Sequence, residues 1–159
     1  MKRSLALIAG VMVVVFGPNI LTSTTEAIGA EGSDALKHVW SQWFVHDQLL
    51  NRGGLSLHTP LLNAPTGGAF FSLDTVNALI GLPLRIFFDP VTTYNWVLMA
   101  AVVAAAVGGA ALTRTLTHDT FATALGGLGF ALSAWVLCFP LASGVSETAV
   151  FWPLPLILL

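Results

Sequence analysis

The sequence YNWVLMAAVVAAAVGGAAL, residues 94–112, decides the fold class of this chain. Neither this stretch nor the four residues before it carry a charge, and a helix of about 20 apolar residues spans the hydrocarbon core of a bilayer. Tyr94 and Trp96 stand where aromatic side chains anchor a helix at the membrane interface. The stretch therefore predicts a transmembrane helix over residues 92–113.

The composition of the whole chain supports an integral membrane protein. Of its 159 residues, 55% are hydrophobic and 9% are charged, whereas soluble domains carry about 25% charged residues. The net charge of −2 and the scattered Lys and Arg residues leave no basic surface for nucleic acid. The sequence thus predicts an all-α membrane protein and excludes nucleic acid as a partner.

Further spans are expected on both sides of this helix. Lys2 and Arg3 precede an apolar run that predicts a first span over residues 4–23 with a cytoplasmic N-terminus. The alternative for this run is a cleaved signal peptide, since its most apolar part, Leu5 to Phe16, is short and AIGAEG follows as a candidate cleavage site.

The C-terminal third predicts a helical hairpin and the start of another helix. A short polar turn from Arg114 to Thr120 separates the central span from a second uncharged run, which predicts a span over residues 120–142. The final stretch, residues 149–159, is apolar to the last residue, so we expect the chain to be part of a larger protein. The prediction is three to four transmembrane helices in a multi-pass protein of the inner membrane.

The long external loop, residues 24–89, is too apolar for disorder and predicts two interfacial helices. The first covers about 34–51, where Ser33 can cap the helix and the tryptophans face the headgroup region while polar side chains occupy other angles. The second covers about 75–88. The alternative for that second segment is a full crossing, which would invert the topology downstream.

Asp34 is the acidic residue that suggests chemistry, whereas the other loop acids are interpreted as solvated charges. Asp34 and His38 are four residues apart and are expected on one helix face, where the carboxylate could act as a general base or bind a metal together with His38. The simpler alternative is that Asp34 only caps the helix and that His38 is solvated. Glu147 lies in the next external loop and could approach Asp34 from there.

The order of these features resembles the N-terminal part of GT-C type membrane glycosyltransferases, including family 39-like bacterial relatives. The likeness is carried by a first span, an external loop that opens with an acidic residue, GGAFFSLDTVNALIGLPL (67–84), TYNW (93–96), a hairpin and SGVSE (143–147). It implies that Asp34 and Glu147 are catalytic acidic residues, that His38 binds substrate and that the donor is a polyprenyl-phosphate sugar. Ala35 follows Asp34 where some branches carry a second acid, so the branch and the dependence on a divalent cation stay open.

The function predicted from this resemblance is transfer of a sugar from a polyprenyl-phosphate donor to an acceptor on the external, periplasmic face. Asp34 would deprotonate the acceptor hydroxyl as the lipid phosphate leaves. The expected partners are membrane lipid, the lipid-linked donor, and the remaining C-terminal part of the protein or other membrane subunits, without which this segment would be inactive. The alternative is a non-catalytic polytopic protein, either a transporter subunit or a membrane assembly partner.

Overall fold

The computed structural model of the chain describes residues 1–56, 58–69, 74–146 and 152–159. This part of the chain is mostly helical and contains one antiparallel pair of two-residue strands. The elements in chain order are α1 (Lys2–Thr22), α2 (Ala35–His46), β1 (His58–Thr59), β2 (Gly68–Ala69), α3 (Thr75–Gly81), α4 (Pro90–Leu116), α5 (Thr120–Ala131), α6 (Ala134–Val136) and α7 (Leu154–Ile157). A π-helical turn, Asp47–Asn51, continues α2, a 3-10 turn, Leu84–Ile86, follows α3, and a second π-helical turn, Leu137–Ala142, continues α6.

Three helical segments in the described part of the chain are long and apolar enough to cross a membrane. They are Lys2–Thr22, Pro90–Leu116 and Thr120–Ala142, where the sequence predicted spans over 4–23, 92–113 and 120–142. The helical fold class with at least three such segments is thereby confirmed. The predicted start of a fourth span at 149–159 falls partly outside the described residues, and α7 lies within it.

The last of these segments is not one regular helix. Its first part, α5, ends at Ala131, and the helix resumes only at Ala134 before passing into the π-helical turn that contains Pro140. Proline has no backbone N–H to donate to the preceding turn, and a wider π turn accommodates that missing hydrogen bond.

Two short helical stretches occupy the ends of the long loop. Residues 34–51 contain α2 and its π-helical continuation, and residues 75–88 contain α3 and a 3-10 turn. Since α3 has seven residues and a helix rises about 1.5 Å per residue, it is far shorter than the roughly 30 Å of a hydrocarbon core. No helix within this second stretch is therefore long enough to cross a membrane.

Two contacts fix the directions of the long helices. The hydroxyl of Ser4, in α1, donates to the carbonyl of Thr120 at 3.1 Å, so α1 and α5 begin at the same end. The amide of Asn95, in α4, donates to the carbonyl of Ser23 at 2.9 Å, so α4 begins where α1 finishes. We call the end with Ser23 and Asn95 the loop end of the bundle and the opposite end the turn end.

Tyr94 and Asn95 join α4 to the loop that follows α1. The Tyr94 hydroxyl is hydrogen-bonded to the carbonyls of Ile28, at 2.8 Å, and Gly144, at 3.1 Å. Asn95 accepts from the Ile28 N–H at 2.8 Å and donates to the carbonyls of Ser23 and Glu26. Tyr94 is 1% exposed, so its predicted role as an interfacial anchor is wrong, because the loop carbonyls offer its hydroxyl partners inside the protein.

Small residues allow α4 and α5 to pack closely. A Cβ atom on Gly127 would lie 2.5 Å from the Ala106 carbonyl oxygen, and one on Gly109 would lie 3.2 Å from the Gly126 carbonyl oxygen. Every fourth residue of α1 is buried, in the order Ser4, Ile8, Met12 and Phe16, and α1 packs against both α4 and α5. Glycine thus permits close helix contact at these positions, whereas a Cβ atom on Gly129 would have nothing within 4 Å.

We expect Asp89→Ala to lower the free energy of unfolding by about 1 kcal/mol at neutral pH, as for other lost helix caps. The Asp89 carboxylate accepts from the N–H groups of Val91, at 2.8 Å, and Thr92, at 3.0 Å, at the start of α4. Partial burial raises its pKa, but the hydrogen bonds from Thr92 and Val91 outweigh this and leave the pKa below its usual value.

The sign of the pH dependence follows from this lowered pKa. Because the folded pKa lies below the unfolded one, about 3.9, the stabilisation is complete above that value and is lost as the pH falls through the folded pKa. Unfolding in detergent micelles, measured from neutral pH to below pH ~4, should show the wild type and Asp89→Ala converge in acid. Asp34→Ala is the control, since Asp34 precedes α2 without a side-chain cap hydrogen bond; an equal loss in both variants would contradict the prediction.

Candidate functional site

Helix α2 buries polar side chains beside apolar ones, among them Phe44 and Val45 at 0% exposure. The polar side chains are buried at 0 to 4% exposure: His38, Ser41, Gln42 and Gln48. By contrast Leu36 and Leu50 are 72% and 56% exposed. The sequence predicted an outward apolar face together with polar residues at other angles, but it did not predict that these polar residues point into the protein. Burying polar side chains is unfavourable unless they find partners. The Ser41 hydroxyl finds one within the helix, donating to the Lys37 carbonyl at 3.1 Å, and the helix packs against α3 and α4.

Asp34 and His38 are not brought together. Asp34 is exposed and its carboxylate pairs with the Lys37 ammonium at 3.1 Å, an exposed ion pair of small energetic value. His38, by contrast, is 1% exposed. The two side chains differ in burial although the Asp34 carbonyl accepts from the His38 N–H at 3.3 Å, so their joint role stays a prediction. Asp34 instead borders an open surface depression of about 300 Å³, together with Glu31 and Ser143.

A different carboxylate occupies the interior. Asp74 is 5% exposed and accepts from the Asn77 amide Nδ2 at 3.0 Å, from the Asn77 N–H at 3.4 Å and from the Ser146 hydroxyl. The His38 Nδ1 atom lies 3.6 Å from its Oδ2 atom. We call these four residues, His38, Asp74, Asn77 and Ser146, the Asp74 cluster. It joins α2, α3 and the segment that follows α6 at the loop end.

The interpretation of the other loop acids as solvated charges is wrong for Asp74, which is 5% exposed. The three-residue spacing of Asp74 and Asn77 indicates the N-cap and third position of a helix, which is where they lie at the start of α3. That signal predicts a cap, but it says nothing about burial. Burial results from α2 and the residues around Ser146, which are distant in the sequence.

The backbone near Ser146 is held against the start of α2. The carbonyl of Ser143 accepts from the Asp34 N–H at 3.3 Å, and the carbonyl of Ala142 accepts from the Ala30 N–H at 2.7 Å. Gly144 has φ of +66°, and a Cβ atom there would lie 2.8 Å from the backbone nitrogen of Ala35. Only glycine fits this position. The close approach of Gly144 to Ala35, which places Ser146 beside Asp74, therefore depends on this glycine.

Glu147, the second predicted catalytic residue, lies outside the described residues. Its neighbour Ser146 is 2% exposed and belongs to the Asp74 cluster. Among the described residues, no three His, Cys, Asp or Glu side chains are close enough to hold one metal ion. The possible divalent cation therefore stays a prediction.

Two buried acceptor atoms in the described part of the chain have no hydrogen-bond partner: Gln42 Oε1 and Asn77 Oδ1. The Gln42 oxygen lies against Gly81, where a Cβ atom would come within 2.5 Å of it. A buried polar atom left unpaired costs about 1–3 kcal/mol.

An apolar cavity of about 160 Å³ lies beside the Asp74 cluster, between α3 and α4. Asn77 is its polar lining residue, and the other lining residues are Ile80, Val97, Ala100, Ala101, Ala104 and Trp152. The site therefore combines a hydrogen-bonded carboxylate, unpaired acceptors and an apolar cavity.

Chemically, such an arrangement can bind a molecule that is part polar and part apolar, and it can accept a proton from a hydroxyl group. The carboxylate is held by donors on two separate chain segments, α3 and the residues around Ser146, which fix its position. No protein-family model, no curated protein and no solved structure matches this chain.

Proposed function

We propose that this chain is part of a polytopic GT-C type glycosyltransferase that transfers a sugar from a polyprenyl-phosphate donor on the external face of the inner membrane. The observation that carries the proposal is the Asp74 cluster, a buried carboxylate at the loop end of helices long enough to cross a bilayer. Sugar transfer to a hydroxyl needs a base, and a lipid-linked donor needs apolar surface beside that base.

The distribution of charge supports the orientation. Three of the six basic residues, Lys2, Arg3 and Arg114, lie at the turn end, where α1 begins and α4 finishes. The other three lie in the long loop, and long loops cross the membrane largely regardless of their charge. Basic residues are enriched on the cytoplasmic side of membrane proteins, so we infer that the turn end and the N-terminus are cytoplasmic. The Asp74 cluster is then on the external side.

The exposed surface of α1 is compatible with a bilayer. Val13 and Val14, near its middle, are 65% and 78% exposed, and Leu21 is 86% exposed. Contiguous exposed apolar surface of this kind is unusual for a protein in water. Lipid or further membrane helices would cover it.

In the proposed reaction the acceptor hydroxyl oxygen forms a bond to the sugar C1 atom as the bond from C1 to the phosphate oxygen breaks. The phosphate leaves with that electron pair, and the hydroxyl proton passes to a carboxylate. Two carboxylates are candidates for this base: Asp34, predicted from the family resemblance, and Asp74. We assign the base to Asp74, because it is buried, fixed by hydrogen bonds and adjacent to the apolar cavity.

The two assignments predict opposite results in the full-length protein assayed with a polyprenyl-phosphate sugar. Loss of a general base lowers kcat by about 10²–10⁴-fold, so we expect Asp74→Asn to lose transfer to this extent while Asp34→Asn, its matched control, retains it. Asparagine keeps the size of the side chain, and each variant should first be shown to unfold at the wild-type temperature in micelles.

The reverse pattern would assign the base to Asp34 and overturn the role of Asp74. If both folded variants transferred sugar at the wild-type rate, neither carboxylate would be the base; if the folded wild type transferred no sugar, the glycosyltransferase proposal would be wrong. A non-catalytic membrane component would then be the better description.

A further inference from the structure

We propose that a groove between α1 and α4 binds one acyl chain of a bilayer phospholipid, in the leaflet at the loop end. The groove has a volume of about 270 Å³ and is lined by side chains of α1 between Met12 and Ile20 and of α4 between Trp96 and Val103. None of these side chains belongs to the Asp74 cluster. The proposal therefore does not depend on sugar transfer.

The groove follows the two helices from the loop end toward the middle of the bundle. Ile20 and Trp96 line it near the loop end, where α1 finishes and α4 begins, and Met12 and Val103 line it farther in. At about 1.5 Å of rise per residue, the distance from Ile20 to Met12 is about 12 Å. One leaflet contributes about 15 Å of hydrocarbon, half of a core of about 30 Å. The groove therefore has the direction and the depth of a lipid chain that starts at the membrane interface.

The lining of the groove selects a hydrocarbon. Its side chains are apolar apart from the indole N–H of Trp96, which lies at the loop end, where tryptophans are common at the membrane interface. The polar part of a bound lipid would therefore lie beyond Trp96. An engineered apolar cavity of about 150 Å³ in another protein binds the six carbon atoms of benzene, so this groove holds roughly ten carbon atoms of a longer chain.

The size of the lining side chains favours a flexible chain over another helix. Helices in membranes meet at small residues, as α4 and α5 do at Gly109 and Gly127. Among the described residues that line the groove, Ala100 alone is small. Two methionines, Met12 and Met99, line it on either side, and their unbranched side chains adapt to irregular shapes.

The groove is open on the side that faces away from the bundle. Val13, Ile20 and Trp96 are 40 to 65% exposed, whereas Met12 and Phe16 are buried. The exposed side chains therefore form its rim and the buried ones its inner surface. In a bilayer, the phospholipids that surround α1 and α4 can enter such a groove directly, without passing through the protein.

The test is photolabelling of the purified full-length protein in phosphatidylcholine nanodiscs that contain a phosphatidylcholine with a diazirine in the middle of one acyl chain. Val13 and Val14 are a matched pair of readouts, because they have the same side chain and are adjacent, but only Val13 lines the groove. Val14 is the more exposed, at 78% against 65%, so contact with bulk lipid alone would label it at least as strongly. We expect severalfold stronger labelling of Val13, and equal labelling would overturn the proposal.

Val103→Trp tests the occupancy of the groove from the opposite helix. The larger side chain fills part of the groove and should reduce labelling of Val13 severalfold, while labelling of Val14 stays unchanged. Val107→Trp is the matched control, because it makes the same change at a position of similar exposure, 40% against 38%, outside the groove lining. Unchanged labelling of Val13 in a folded Val103→Trp variant would show that the acyl chain does not occupy the groove.

Two other occupants would give different results, and either result would overturn the proposal. Labelling of Val14 without labelling of Val13 would show that another membrane helix or a second copy of the chain covers the groove. Displacement of the label from Val13 by added polyprenyl phosphate would assign the groove to the lipid-linked donor. The labelling is independent of the transfer assay, so the groove and the proposed function can each fail alone.

Discussion

Gly127→Ala should lower the free energy of unfolding by about 1–3 kcal/mol, the usual cost of overpacking a core. The added methyl group would lie 2.5 Å from the Ala106 carbonyl oxygen and 3.0 Å from both the Ala110 Cβ and the Ile8 Cδ1 atoms. The nearest of these atoms is backbone, so relief requires α4 and α5 to move apart. That movement would also loosen the packing of α1, since Ile8 contacts the same place.

Gly129→Ala is the matched control, because it makes the same change two residues later on the same helix. No atom lies within 4 Å of a Cβ at this position. Alanine is the better helix former by about 1 kcal/mol, so this variant should be as stable as the wild type or more stable. Unfolding of both variants in mixed micelles under increasing SDS measures the difference, and equal stabilities would contradict the close packing of α4 on α5.

Asn95→Leu should lower the free energy of unfolding by several kcal/mol, at about 1–3 kcal/mol for each buried group left unpaired. Asn95 is 0% exposed and satisfies three backbone groups at once: the carbonyls of Ser23 and Glu26 and the N–H of Ile28. Leucine has a similar size but cannot replace any of these bonds. The loop after α1 would then lose its attachment to α4.

Hydrogen exchange at the Ile28 amide tests this prediction at the site of the lost contact. Exchange of the Ile28 amide should become much faster in Asn95→Leu, because its acceptor is the Asn95 oxygen. Asn51→Leu is the control, since Asn51 is exposed and bonds only to the Asp47 side chain in the described part of the chain; surface changes of this kind stay within about 0.5 kcal/mol. Unchanged exchange at Ile28 would show that Asn95 does not hold the loop.

The burial of Tyr94 and Asn95 in TYNW, residues 93–96, is not predicted by the sequence. The sequence places this motif at the start of an apolar helix, where aromatic residues are common anchors. Trp96 is 42% exposed and fits that description, but Tyr94 and Asn95 are buried. Their partners are loop carbonyls about 50 to 70 residues away in the chain. A local sequence pattern does not indicate partners that are so distant.

The burial of Asp74 could not be predicted from the sequence for a related reason. The acids of the long loop look alike in the sequence, and only the position of Asp34 at the start of a predicted helix and the family resemblance favour it. Asp74 differs from the others by its surroundings: His38 and Ser146 reach it from other segments. The catalytic roles of Asp34 and Glu147 stay predictions, as does the role of His38 in binding substrate.

The sequence by itself determined the helical class of this protein and the positions of its three long apolar helices. Their length and hydrophobicity are local properties, and they are sufficient for a helix that can cross a bilayer. Only the tertiary structure decided which face of α2 points inward and which carboxylate is buried. Those outcomes depend on hydrogen-bond partners from distant segments, because a polar side chain enters the interior only where such partners meet it.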